Sequence, residues 1–385
     1  MSKTIIFCAD GTWNGPGEND QTSAAKPATN VLKLFLNLAG ADSLDTMLLK
    51  DEQERTLAAP DGTVTQVSKY LHGVGDSSNF LVRLLGGAVG AGLITRIVRG
   101  YTFISRNYKD GDRIFVVGFS RGAYTARALA GLIASQGLLD ASKLDLSDKD
   151  QAYRLGAACW YAYRQKATPT NWFSHLVNVA SDLPMFFSRP VPDNQRVPAK
   201  IDTVAVWDTV GSYGIPTYSL HAERIDPFQF ADLKLSASVR IGLQAIAVDE
   251  LRADFTPTFW DADTRVTQCL FPGAHADVGG GYPMANAENA LSDCSLRWMT
   301  DQLAALGVQF VTLPAPGNPD AAGVAHQPWS DLPWRLLSSK ARTLPKGLTV
   351  SQALSDRRTA ASVRAFPSGP LGRYEPPNLG AYPIA

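Results

Sequence analysis

With 385 residues, 45% hydrophobic and 19% charged, the chain can bury a large core and falls outside the disordered class. Its 36 Lys+Arg balance 36 Asp+Glu, which leaves out nucleic acid as a main partner, because such binding leaves a basic excess. The length suits one α/β domain with insertions, or two ordinary domains.

Met1-Ser2-Lys3 leads into only a short apolar stretch before Asp10, too little for the hydrophobic part of a signal peptide. Synthesis in the cytoplasm is expected, with any export by a route that uses no cleaved leader. Thr4 to Cys8 reads as a buried strand running into Asp10-Gly11-Thr12. A helix is expected from Asn30 to Leu38, with Thr29 or Asn30 as cap. Asp42 to Asp61 is polar and reads as an irregular surface insertion, while Thr65 to His72 alternates like a strand. Gly86 to Arg99 is glycine-rich and then helical to about Tyr108. Ile114-Phe115-Val116-Val117 is an apolar strand entering Gly118-Phe119-Ser120-Arg121-Gly122, and Ala123 to Gln136 is a helix with Ala126, Leu129, Ala130 and Ile133 on one face.

Asp140 to Lys200 is expected to be a cap or lid insertion with a helix over Gln151 to Arg164. Its stretch from Trp172 to Phe187 reads either as a lipid-facing surface or as core packing. Asp202 to Trp207 is a buried strand, Leu235 to Val248 has helical period, Val266 to Phe271 is a strand, and Glu288 to Leu306 is a long helix. Such alternation implies a mainly parallel sheet flanked by helices. The segment 311–385 is proline-rich, but Trp329, Trp334, Leu336 and Leu337 predict that it packs on the body of a single domain spanning 1–385. Cys8, Cys159, Cys269 and Cys294 follow no zinc or redox spacing, and free thiols suit a reducing compartment. No run approaches the length of a membrane-spanning helix.

Strand, G-x-S-x-G, helix is the arrangement of a nucleophile elbow, which exposes a serine hydroxyl on a tight turn. The hydroxyl needs a base and the base needs an acid, in the chain order Ser, acid, His. Of His72, His175, His221, His275 and His326, His275 is the candidate base. It leaves a strand end through Pro272-Gly273-Ala274 and precedes Asp277-Val278-Gly279-Gly280-Gly281, and strand C-terminal ends are where such sheets collect their ligands. Asp208 ends a strand between Ser120 and His275 and is the candidate acid; Asp249 follows a segment read as helical, and Asp277 is read as a loop brace. The oxyanion would be held by the N–H of Arg121 and a second from Gly11 or Thr12, with Asp10 closing that loop. Arg121 or Arg127 is a candidate for a substrate phosphate.

Rival signals are weaker. Cys8-Ala9-Asp10-Gly11-Thr12 echoes the D-x-D-G-T opening of haloacid-dehalogenase-type phosphatases, but Cys8 stands where the nucleophilic aspartate is required. Gly87, Gly90 and Gly92 lack a Walker lysine. Asp10, Asp208, His275 and Asp277 form no known metal signature, so no cofactor is expected; a metal-dependent hydrolase and a non-catalytic scaffold remain the alternatives.

Four longer stretches resemble one family, catalogued as domain of unknown function 2235. They are Phe7-Cys8-Ala9-Asp10-Gly11-Thr12-Trp13-Asn14, Gly118 through Tyr124, Trp207-Asp208-Thr209-Val210-Gly211, and Phe271 through Tyr282. Shorter echoes are Gly73-Val74-Gly75, Val248-Asp249-Glu250 and Tyr374 through Leu379. The family includes class 1 phospholipase effectors of the type VI secretion system. The resemblance implies an α/β-hydrolase fold, a serine esterase with lipid or phospholipid substrate, and a triad on Ser120, Asp208 and His275. It also implies transient contact with a membrane surface, and an immunity or secretion partner that the sequence does not identify.

Overall fold

The computed structural model describes residues 2–11, 27–45, 52–73, 89–167, 190–210, 233–332, 334–336 and 338–379. Among them, nine strands form one sheet. The first strand, β1 (Thr4–Ala9), is buried along its whole length and lies inside that sheet. Its alternate side chains serve two cores: Ile5, Phe7 and Ala9 face one helical layer, Ile6 and Cys8 the other. A strand covered on both faces has no polar side, which is why it reads as an unbroken apolar run.

Helix α1 (Asn30–Asn37) begins where the Thr29 side chain accepts from the Leu32 N–H, satisfying one orphan donor of its first turn. Then β2 (Ala41–Asp42), β3 (Glu52–Ala58) and β4 (Val64–Leu71) form the antiparallel edge. This corrects the expectation of an irregular insertion over Asp42 to Asp61. The strand β3 carries charge because that charge is paired: Glu52 meets Lys69 at 2.6 Å and Arg99 at 2.7 Å, and Glu54 meets Lys69 at 2.9 Å.

The chain continues through α2 (Val89–Asn107), β5 (Arg113–Phe119) and α3 (Arg121–Gln136). The short β6 (Leu138–Leu139) pairs antiparallel with β7 (Arg196–Val197), and α4 (Lys149–Ala167) lies between them in sequence. Within the segment expected to form a cap, α4 adds Trp160, Tyr163, Ala157 and Cys159 to the core cluster of α2 and α3. The aromatic stretch from Trp172 to Phe187 lies outside the described residues, as do His175 and His221.

The parallel part of the sheet is completed by β8 (Ile201–Trp207), β9 (Val239–Ala247), β10 (Val266–Phe271) and, far along the chain, β11 (Thr349–Val350). Its order is β11-β10-β9-β8-β5-β1-β4-β3-β2. The segment Leu235 to Val248, expected to be helical, is therefore mostly strand. Flanked by β8 and β10 it is covered on both faces, and such a strand shows no two-residue period. One face of the sheet carries α2, α3 and α4; the other carries α1 and α6 (Ala290–Ala305), while α5 (His275–Gly279) sits at the strand ends between them. After residue 310 the chain still packs: it supplies β11, α7 (Gln352–Thr359) and a buried Leu354 and Leu379 beneath β9 and β10. Trp334 meets Phe255 edge-on at 5.4 Å, but Leu336 is exposed, contrary to expectation, and Leu337 lies outside the described residues.

Candidate active site

At the end of β5 the backbone makes a turn that only small residues allow. Ser120 has φ 57° and ψ −121°, a strained conformation for a residue with a side chain. A Cβ on Gly118 would lie 2.3 Å from the Gly122 carbonyl oxygen, and one on Gly122 would lie 2.1 Å from that of Ala9. Both glycines are thus imposed by close approach of backbone to backbone. The turn is tied to the next strand by the Ser120 N–H, which donates to Trp207 O at 3.1 Å. Ser120 also occupies the N-cap position of α3 without a side-chain capping bond, where the helix's first N–H groups and dipole favour negative charge.

The pairing of Phe119 with Trp207 across β5 and β8 places Asp208 level with Ser120 on the adjacent strand. Asp208 also has positive φ, 38°. Its carboxylate is fully buried and surrounded by donors. The His275 Nδ1 lies 2.5 Å from Oδ2, Arg342 reaches Oδ1 at 2.6 Å and Oδ2 at 2.8 Å, and the Ala247 N–H donates to Oδ1 at 3.0 Å. Burial pushes this carboxyl up, but the Arg342 charge and the bonds from His275 and Arg342 outweigh it and hold it below the usual carboxylate range. An ionised carboxylate only accepts, so Nδ1 carries the proton and Nε2 keeps its lone pair. Burial, helped by the Arg252 charge, lowers the His275 pKa more than Asp208 and Glu250 raise it, so the ring is neutral at neutral pH.

His275 opens α5 on the loop after β10, and that loop is laced to the one after β9. The Gly273 N–H donates to Asp249 at 2.6 Å, and the His275 N–H to Glu250 at 3.2 Å, with Glu250 itself held by Arg252. Asp249 thus follows a strand, not a helix, and serves this loop as a backbone anchor. The imidazole packs against Phe119, the residue before Ser120, at 4.6 Å between ring centroids, and edge-on to Phe255 at 4.9 Å. Ser120, Asp208 and His275 therefore leave the same end of the sheet from β5, β8 and β10, with an apolar wall around the imidazole.

Of the supporting residues, Asp277 accepts from the Ala274 N–H at 2.9 Å and from His326 Nδ1 at 2.6 Å, bracing the His275 loop. Asp10 accepts from the Gly11 N–H at 2.7 Å, Thr29 Oγ1 at 2.7 Å and Tyr70 OH at 2.5 Å. Burial drives its carboxyl up to about 6 against those bonds. The Gly11 amide is thus engaged by its neighbour's carboxylate, and a Cβ on Gly11 would stand 3.2 Å from that of Ser120. Thr12 lies outside the described residues. Arg127 does not suit a substrate phosphate: its guanidinium donates to Thr258 O at 2.7 Å and lies over the Trp260 ring. Among the described residues no group of three or more His, Cys, Asp or Glu is placed to hold a metal ion.

Residues 3–302 match the family described as T6SS phospholipase effector Tle1-like, catalytic domain. The chain belongs to this family. Its fold is α/β, a mainly parallel sheet between helical layers with the candidate groups at the strand C-termini. An uncharacterized protein of Saccharomyces cerevisiae, YEL023C, is 28% identical over 213 residues, covering 55% of this chain and 27% of that protein. Two solved structures are similar at 18% identity. An uncharacterized protein from Pseudomonas aeruginosa matches with TM-score 0.44 over 92% of this chain and 50% of that one. The Tle1 effector bound to the VgrG spike of the type 6 secretion system matches with TM-score 0.41, over 74% of this chain and 52% of that one. The chain thus spans about a quarter of the yeast relative's length and about half of each solved chain's.

The part matched to the Tle1-like family holds Ser120, Asp208 and His275, but not all of their surroundings. Sequence reasoning missed Arg342, which carries no motif, and gave Glu250 no role beyond its place in the Val248-Asp249-Glu250 echo, because that role depends on a contact with another loop. Tyr70 and Thr29, the partners of Asp10, were legible only as a strand residue and a helix cap.

Proposed function

We propose that this chain is a serine hydrolase of carboxylic esters, with lipid or phospholipid as substrate, working through Ser120, His275 and Asp208. The observation that carries the reading is the buried Asp208–His275 pair at 2.5 Å beside a strained serine elbow. The Tle1-like phospholipase effector family supports the lipid ester as substrate class and export by a type VI system.

Ser120 Oγ attacks the ester carbonyl while His275 Nε2 takes its proton; Asp208 holds the ring in the tautomer that permits this and stabilises the imidazolium. The oxyanion forms against the N–H of Arg121 at the start of α3 and a second donor from Gly11 or Thr12. For Gly11 this means exchanging its bond to Asp10. His275 returns the proton to the leaving alcohol, leaving an acyl group on Ser120. Water, deprotonated by His275, then attacks the acyl carbonyl, and the second collapse frees the acid and Ser120. The neutral state of His275 suits a base of this kind.

The test is a panel of p-nitrophenyl esters and phospholipids with Ser120→Ala as control. Hydrolysis by the native chain that vanishes in the variant is expected; hydrolysis that survives in Ser120→Ala refutes the assignment.

A further inference from the structure

We propose that Arg342 is a positioning residue for this reaction: its two-pronged guanidinium fixes Asp208 and, through it, the His275 ring. The inference rests on the serine-hydrolase reading above and extends the working site beyond residue 302, where the family match ends.

The Arg342 side chain is 3% exposed, and the two terminal nitrogens of its guanidinium make four bonds. Nη1 donates to Asp208 Oδ1 at 2.6 Å and to Ala247 O at 2.7 Å; Nη2 donates to Asp208 Oδ2 at 2.8 Å and to Phe255 O at 2.6 Å. Oδ2 is also the oxygen that receives His275 Nδ1. A planar fork meeting a carboxylate at both oxygens fixes its plane as well as its position, which a lysine cannot do. The plane of Asp208 sets the direction of the Nδ1 bond and hence where Nε2 points.

The chain around Arg342 is itself held against the segment that follows β9. The Lys340 N–H donates to Leu251 O at 2.8 Å, Arg252 and Ser339 form a β-bridge, and Asn378 Nδ2 donates to both Arg342 O (3.2 Å) and Val248 O (3.1 Å). The same late segment reaches the His275 loop twice more: His326 pairs with Asp277, and Tyr374 OH donates to Asp249 at 2.8 Å. Three carboxylates around that loop thus take a partner from beyond residue 302.

The charge matters as well as the fork. His275 is faced by Asp208 with Arg342 behind it and by Glu250 and Arg252 from the segment after β9, with Phe119 and Phe255 as apolar walls, while Asp277 on its own helix is turned to Ala274 and His326. Arg342 draws on the anion that would stabilise the imidazolium. Removing its charge makes Asp208 a stronger partner for the protonated ring and raises the proton affinity of His275.

The experiment compares kcat, KM and the pH profile of kcat/KM for the native chain, Arg342→Lys and Arg342→Met, on the best ester of the panel. Arg342→Lys, with charge kept and fork lost, is expected to lower kcat about 10- to 100-fold with KM unchanged. Arg342→Met is expected to lower kcat further and to move the acidic limb up by about one pH unit. A purely structural role would lower the folded fraction and leave the kcat of the folded enzyme and the limb in place. If Arg342→Met does not fold, the kcat of Arg342→Lys decides alone. Native kcat in Arg342→Lys, a loss confined to KM, or an unmoved limb in a folded Arg342→Met overturns the Arg342 role while native activity still depends on Ser120. A native chain with no Ser120-dependent hydrolysis overturns both readings.

Discussion

Replacing Asp208 with asparagine changes one oxygen to an NH2 and removes a buried charge. Of the four donors around the carboxylate, the Ala247 N–H and Arg342 Nη1 can keep bonding to the remaining oxygen. The amide nitrogen then takes the place of Oδ2, facing Arg342 Nη2 and His275 Nδ1. Against the guanidinium it sets donor to donor, and Arg342 becomes a buried cation without its anion, which costs about 3–5 kcal/mol. Against the imidazole it favours the tautomer with the proton on Nε2, the nitrogen meant to receive the Ser120 proton, and by analogy with other Ser-His-Asp enzymes kcat should fall by about 10⁴. The native carboxyl is held below its ordinary value, so its contribution to stability is present above about pH 4 and fades as pH falls. The stability deficit of Asp208→Asn should therefore be largest near neutral pH and shrink on acidification. Denaturant titrations at several pH values and steady-state kinetics at neutral pH measure both. Activity within tenfold of native, in a folded variant, would refute the reasoning about the tautomer.

Three further outcomes are expected. His275 is held below the ordinary imidazole value of about 6.5, so the acidic limb of native kcat/KM should lie below that pH; a midpoint above 7 would contradict it. Gly122→Ala places a Cβ 2.1 Å from the Ala9 carbonyl oxygen, and since backbone must move, a loss of about 1–3 kcal/mol or more is expected in denaturant titration, with hydrolysis impaired in the folded fraction. Burial lifts the Asp249 carboxyl to about 6 from 3.8, so the stability linked to its neutral form is full below about pH 4 and is lost as pH rises through 6, about 3 kcal/mol in all. Asp249→Asn keeps an acceptor for the Gly273 N–H and should show a flatter stability curve than the native chain between pH 4 and 7; an equally steep curve would contradict this.

The strands that carry the site were legible because burial leaves an apolar run: nearly the whole of β1 and β5, Val204–Trp207 of β8, and only the last half of β10, Cys269–Phe271. The same property hid β9, whose run over Val239–Ala247 also fits helical spacing. The charged strand β3 was hidden for the opposite reason: Glu52 and Glu54 make sense inside a sheet only once Lys69, Arg99 and Arg106 are seen beside them. At the site, Ser120 was marked by its flanking glycines, and Asp208 and His275 by their positions just past strand ends. Arg342 had no such mark. It sits in a proline-rich stretch, and its partner is 134 residues away.

The central claim is that Ser120 becomes acylated. Treatment of the folded native chain with a fluorophosphonate, followed by intact mass and peptide mapping, tests it most directly. The account predicts a single adduct on Ser120, absent from Ser120→Ala and strongly reduced in a folded His275→Gln. An unlabelled native chain that still hydrolyses esters, or an adduct on another residue, would contradict it.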